Sequence, residues 1–229
     1  MREVVLDTET TGLDPDAGDR IVELGAVELV NHMPTGRTFH AYINPERDVP
    51  AEAAAVHGLT TAFLADKPVF RAVAGEFAAF LGDARLVIHN AAFDMRFLNA
   101  EFGWAGRASL PWARAVDTLE LARRRFPGAN NTLDALCRRF GVDTSARVKH
   151  GALLDSELLA EVYLELMGGR QPDLTLAVVI AGTPGGGAAW VPSPRPRPLR
   201  GRLTPTEAAA HAAFVATLGD APLWLAGSA

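Results

Sequence analysis

The sequence predicts an α/β domain on a mixed five-stranded sheet flanked by helices, followed by a Pro/Gly-rich linker and a C-terminal helical segment. Three observations carry that prediction. Three strand-like runs follow one another closely at the N-terminus. Short apolar runs then alternate with helical patterns. The composition changes abruptly after Met167.

Residues 2–7 are an apolar run that feeds straight into Asp7-Thr8-Glu9-Thr10-Thr11-Gly12, which reads as a buried strand ending in carboxylates. Residues 20–30 read as a second strand, with Gly25 marking a bulge or a close approach. Residues 38–43 alternate and read as a third. The short connections make these three an antiparallel meander. Residues 50–81 lean helical, with Phe70, Val73, Phe77, Phe80 and Leu81 at helical spacing. Residues 85–89 form a short buried strand, 93–102 a helix, and 115–117 a last strand. Residues 119–126 and 133–140 read as two helices. Residues 153–167 are an amphipathic helix, with Leu154, Leu158, Val162 and Leu166 recurring every fourth position. Gly168-Gly169 stops it, so the domain spans residues 1–168.

Residues 169–202 read as a linker. Gly185-Gly186-Gly187 and then Pro192, Pro194, Pro196 and Pro198, interleaved with arginines, give it polyproline character. Residues 203–229 open with a strong helix start: Thr204 at the N-cap, Pro205 at N1 and Glu207 at N3. That helix runs to about Leu218. It is too short to be stable alone, and Phe214, Val215, Leu218, Leu223 and Trp224 have no local core to enter, which predicts a partner.

The bulk composition narrows the function. A net charge of −5 excludes a broad electrostatic grip on nucleic acid, though not a nucleic-acid enzyme whose ions supply local positive charge. The single cysteine, Cys137, excludes an internal disulfide framework and reads as a core or half-buried thiol in a reducing, cytoplasmic setting. The N-terminus runs directly into a strand, so we expect no signal peptide. No apolar run approaches ~20 residues, so we expect no membrane span.

Side chains two apart on a strand share a face, so Asp7 and Glu9 project together. Two adjacent anions repel unless a cation lies between them. Asp94 follows a strand-to-helix turn, and His150 and Asp155 flank the start of the last long helix. Element ends of this kind converge where the strands of an open α/β sheet finish. Phosphodiester cleavage by two divalent cations needs such a set of oxygen ligands. Asp7 would bridge the ions, Glu9 and Asp155 would complete one site, and Asp94 would serve the other. His150, titrating near neutrality, would take the proton of the attacking water. Each residue alone has an ordinary reading: strand-end cap, helix N-cap, helix-terminus complement, surface histidine. Their joint order is hard to explain that way. His32, His40 and His211 read as structural or solvated, and Arg123-Arg124-Arg125 as a solvated helix face, with a DNA-backbone patch as the alternative reading.

Asp7-x-Glu9, Asp94 and His150-x-x-x-x-Asp155, in this order, resemble the DEDDh family of 3′–5′ exonucleases. Val22-Glu23-Leu24-Gly25-Ala26-Val27, Val56-His57-Gly58-Leu59, Val87-Ile88-His89-Asn90-Ala91-Ala92-Phe93-Asp94 and Asn131-Thr132-Leu133-Asp134-Ala135-Leu136-Cys137 are similar to its epsilon-type branch, the proofreading subunits of bacterial DNA polymerase III. The resemblance covers about residues 3–168. It implies a ribonuclease H-like fold, two Mg²⁺ or Mn²⁺ ions, and removal of mispaired nucleotides from a single-stranded DNA 3′ end. It implies substrate contacts from Thr8, Thr10, Leu13, Val56, His57, Asn90 and Phe93. It further implies a polymerase catalytic (alpha) subunit bound through 203–229 at a cytoplasmic, nucleoid-associated replisome. Gln171-Pro172-Asp173-Leu174-Thr175-Leu176 resembles the peptides that bind the bacterial sliding clamp. Two rivals are a free-standing DEDDh nuclease acting on RNA or DNA ends, which needs no unburied terminal helix, and a non-catalytic polymerase-stabilising subunit, which needs no intact carboxylate set.

Overall fold

The computed structural model describes residues 1–145, 147, 149–169 and 204–218. Residues 170–203, which hold the rest of the linker and the Gln171–Leu176 peptide, and residues 219–229, Trp224 among them, lie outside the described residues.

Five strands form one sheet: β1 (Arg2–Thr10), β2 (Ile21–Val30), β3 (Met33–Tyr42), β4 (Arg85–Ile88) and β5 (Ala115–Asp117), in the order β3-β2-β1-β4-β5. The expected meander is present, with β1 antiparallel to β2 and β2 to β3, while β1–β4 and β4–β5 are parallel. β1 does not end at Asp7. It pairs with β2 as far as Thr10, with a register shift between Glu9 and Thr10, so both carboxylates are strand residues rather than strand-end ones. β3 begins at Met33, earlier than the alternation indicates, because the tight Asn31-His32 turn, both residues at positive φ, starts the hairpin directly.

The helix-leaning segment 50–81 resolves into three helices: α1 (Ala51–His57), α2 (Thr61–Leu64) and α3 (Phe70–Leu81). Gly58, at φ 80°, closes α1, and Thr60 starts α2 by accepting the Phe63 N–H. The remaining helices are α4 (Ala91–Trp104), α5 (Thr118–Arg125), α6 (Leu133–Phe140) and α7 (Ala152–Leu166). Residues 204–218, in a separate unit, carry α8 (Pro205–Ala216). Its N-terminus is the capping box read from sequence, with Thr204 and Glu207 bonding reciprocally.

Alternation along β1 decides which helix meets which residue. Val4 and Leu6 face the core made with α3 and α4, where Phe70, Phe77, Leu81, Phe97 and Phe102 are fully buried. Val5 faces the other side, with Val27, Leu29, Val87 and, from α7, Leu159 and Tyr163. Asp7 and Glu9 continue the Val5 row onto the α7 side, and Thr8 continues the Leu6 row toward α4.

Candidate active site

The α7 side of the sheet is shaped by Gly25. It pairs with Asp7 across β1 and β2, and a Cβ there would lie 2.1 Å from the backbone of Ala152 and Leu153. The glycine therefore lets the first turn of α7 lie directly on the strand beside Asp7, a close approach and not a bulge. Ser156 Oγ donates to the Gly25 carbonyl at 3.0 Å and fixes the contact. The consequence is positional: Asp155, in that first turn, is delivered to the α7 face where Asp7 and Glu9 already stand.

Asp94 arrives from the other side. Asn90 ends the β4 turn in the left-handed region at φ 65°, and its N–H donates to Asp117 Oδ1 at 3.1 Å, tying the ends of β4 and β5 together. The first turn of α4 then carries Asp94, whose Oδ1 accepts from Thr8 Oγ1 at 2.8 Å.

The electrostatics register this convergence. Burial, then Asp94, Glu9 and Asp155, push the Asp7 carboxyl well above the usual carboxylate range. Burial, then Asp155, Glu23 and Asp94, push Glu9 up to about 8. Burial pushes Asp94 up to about 7, against the opposing hydrogen bond from Thr8. These are carboxyls brought together with too little positive charge among them. Donor oxygens from Glu9 and Asp155 and a ring nitrogen of His150 lie within 4.8 Å of one another. Hard oxygen donors with raised pKa values fit a divalent cation, which would return them to the charged form.

His150 is half-exposed ahead of α7, with Nδ1 3.1 Å from Asp155 Oδ2. Between them sits a residue with no pattern in the sequence. Arg147 is nearly buried. Its Nε lies 2.6 Å and its Nη2 2.7 Å from the two oxygens of Asp155, Nη2 also meets His150 Nδ1 at 2.7 Å, and Nη1 pairs with Asp134. It is the cation that partly offsets Asp7 and Glu9. Glu23, directly opposite Glu9 in register, is a second residue of the surroundings, quoted in a motif but given no role from sequence. It is held by His40 Nε2 at 2.7 Å.

Two hollows open on this cluster. A cleft of about 690 Å³ is lined by Asp7, Thr8, Glu9, Asn90, Phe93, Asp94, His150 and Asp155, and also by Arg123 and residues 129–134, the turn before α6 and its first residues. A smaller one of about 550 Å³ is lined by Thr10, Leu13, Val56 and His57, and it shares Thr8, Glu9 and Phe93 with the first. All seven expected substrate contacts thus border one hollow or both. Leu13 and Val56 are large apolar side chains left exposed at its wall, 79% and 49%. Buried His57 accepts the Leu59 N–H on Nδ1, and its Nε2 has no hydrogen-bond partner among the described residues. Elsewhere His32 pairs with buried Glu3, and His40 with Glu23. Cys137 is buried in α6, where burial pushes its thiol up to about 11. No helix among the described residues is long and apolar enough to cross a membrane.

A family model described as Exonuclease matches residues 4–163. Among curated relatives, the chain is 58% identical over 174 residues to the DNA polymerase III subunit epsilon of Rickettsia conorii, covering 75% of this chain and 76% of that one. It is 49% identical over 177 residues to the Escherichia coli K12 protein of the same name, covering 74% and 72%. Among solved structures, exonuclease X in complex with 5′ overhanging duplex DNA superposes with a TM-score of 0.57 at 27% identity, covering 72% of this chain and 90% of that one. The nuclease domain of 3′hExo, a DEDDh family member bound to rAMP, superposes with a TM-score of 0.63 at 19% identity over 72% and 91%, a likeness of fold.

Proposed function

We infer the working of the site from one premise: this chain belongs to the exonuclease family, and to the branch of it formed by the epsilon subunits of DNA polymerase III. It is a metal-dependent 3′–5′ exonuclease that proofreads DNA. The observation that carries the mechanism is the gathering of Asp7, Glu9, Asp94 and Asp155 from β1, α4 and α7 into one cleft, with Glu9 pushed up to about 8.

Asp7, Glu9, Asp94 and Asp155 would hold two divalent ions, Mg²⁺ or Mn²⁺, which supply the positive charge for the attacking and leaving oxygens of the phosphodiester. Thr8 orients Asp94 through its hydrogen bond. His150 accepts the proton of the attacking water, and its half-exposed position leaves that proton a route to solvent. The terminal nucleoside enters the smaller hollow. There Leu13, Val56 and Phe93 pack on the base and His57 Nε2–H donates to the sugar, with Thr10 and Asn90 completing the contacts. Closing apolar side chains around an unpaired end favours substrates that fray readily, as mismatched ends do, because unpairing them costs less. A nucleoside monophosphate leaves.

The nuclease unit, residues 1–168, is tethered by 169–202 to a segment, 203–229, that binds the polymerase catalytic (alpha) subunit. The capped helix α8, with Phe214 and Leu218 exposed, supports this. The tether raises the effective concentration of nuclease at the primer end. Gln171–Leu176 binds the sliding clamp, and the protein works in the bacterial cytoplasm at the replisome.

The decisive experiment is single-turnover digestion of a 3′-mispaired primer with Mg²⁺. Release of nucleoside monophosphates, abolished by EDTA and in Asp7→Ala and His150→Ala, is expected. Full activity in either variant would contradict the assigned roles.

A further inference from the structure

The three arginines that close α5 have three different surroundings. Arg124 pairs with Glu120 one turn earlier on the exposed side of the helix. Arg125 Nη1 donates to the carbonyls of Glu165 and Leu166 at 2.7 and 2.9 Å and so caps α7. The Arg123 side chain makes no ion pair or hydrogen bond among the described residues, is exposed, and lines the same cleft as the carboxylate cluster. The triplet is therefore neither a uniform solvated face nor a uniform DNA-backbone patch.

The other arginine of that cleft and its half-buried histidine are already engaged. Arg147 is engaged by Asp134 and Asp155. His89 is held below its ordinary value by burial, hence neutral at pH 7, with Nδ1 2.9 Å from Thr118 Oγ1. The wall beside Arg123 is fixed. Asn131 Nδ2 donates to the Phe126 and Ala129 carbonyls at 3.2 and 3.1 Å, and Arg139 braces the same turn. Asn130 Oδ1 accepts the Thr132 N–H at 3.0 Å, which leaves the Asn130 side-chain NH₂ available.

A substrate strand constrains the path. If the terminal nucleoside occupies the smaller hollow and the scissile bond lies at the shared edge of Thr8, Glu9 and Phe93, the rest of the strand must leave through the larger cleft. It is a polyanion crossing a site crowded with carboxylates on a chain of net charge −5, and it needs a compensating cation beyond the reacting centre. We propose that Arg123, with Asn130 beside it, binds a backbone phosphate of the single strand upstream of the scissile bond. This rests on the exonuclease reading of the site. The site takes a phosphodiester and no base, so it gives strand affinity without sequence preference.

The test compares two substrates on the full chain with Mn²⁺. One is a thymidylate oligomer of about ten nucleotides. The other is the p-nitrophenyl ester of thymidine 5′-monophosphate, which carries the terminal nucleoside and one phosphodiester only. Arg123→Gln is expected to lose about tenfold more kcat/KM on the oligomer than on the ester. The dependence of oligomer KM on salt should flatten, its logarithmic slope falling by about 0.7. Arg124→Gln, the exposed control, should show neither effect. Equal losses on both substrates, no loss on the oligomer, or the same loss in Arg124→Gln would overturn the proposal. A wild-type protein inert on both substrates would instead overturn the exonuclease reading and this inference with it. Circular dichroism of each variant separates these results from misfolding, and Arg123→Lys, which keeps the charge, should recover most of the oligomer activity.

Discussion

Glu9→Gln should stabilise the metal-free protein, and the effect should depend on pH in a defined direction. In the folded chain the Glu9 carboxyl is pushed from 4.5 up to about 8 by burial and by Asp155, Glu23 and Asp94. Unfolded, it releases its proton near 4.5. Between those values the native state binds one more proton than the unfolded state, so stability falls as pH rises, by about 1.4 kcal/mol per pH unit. The full cost is in force above about pH 8 and absent below about 4.5. Across the window it amounts to about 5 kcal/mol at most. Asp94, itself pushed up to about 7, shares the repulsion, so about 2–4 kcal/mol is the expected gain when the charge is removed with the side-chain volume kept. Urea unfolding in EDTA, followed by far-ultraviolet circular dichroism from pH 4.5 to 9, measures it. Wild type and Glu9→Gln should coincide at the acid end and separate steadily, the variant being the more stable at pH 8.5. Adding Mn²⁺ should stabilise wild type more than the variant, because binding to the native state adds stability by mass action. A variant less stable at pH 8.5, or a pH-independent difference, would refute the reasoning that Glu9 is held against uncompensated charge.

Gly25→Ala drives a Cβ into the backbone of Ala152 and Leu153 at 2.1 Å. It should destabilise by about 2–3 kcal/mol and lower primer digestion about a hundredfold by displacing Asp155; a thermal melt beside the digestion assay checks both. Arg147→Met leaves nearly buried Asp155 without its counter-charge, which should cost about 3 kcal/mol in EDTA. Millimolar Mn²⁺ should recover most of that loss in the same melt, whereas an equal loss with and without the ion would speak against a charge origin. Deleting residues 203–229 should leave digestion of free primer unchanged and abolish copurification with the polymerase catalytic subunit.

Much of this was legible because it is local. Short apolar runs, one alternating stretch and period-3.6 patterning located all five strands and the principal helices, and the Thr204-Pro205-Thr206-Glu207 start specified its own cap. The five candidate site residues stood out for another reason: Asp7 and Glu9 interrupt an apolar strand run, and Asp94, His150 and Asp155 lie at or just before a helix start. What escaped depends on register and on distant contact. That β1 carries its pairing through to Thr10 follows from β2 beside it, not from its own residues. Arg147 lies in irregular chain, and nothing nearby in sequence announces that its guanidinium reaches Asp134 and Asp155. Arg123 could not be told from its neighbours, since three adjacent arginines look alike until the helix turns each to a different surface. Gly25 shows the middle case, with a close approach foreseeable from a glycine in a strand and the approaching partner, α7, supplied only by the fold.

The central claim is that Asp7, Glu9, Asp94 and Asp155 form one ion-binding unit. Anomalous diffraction from crystals soaked in Mn²⁺ with thymidine monophosphate tests it most directly. The account predicts two peaks roughly 3.5–4 Å apart, with Asp7 shared between them, Glu9 and Asp155 on one and Asp94 on the other. A single peak remote from Asp94, or none among these four carboxylates, would contradict it.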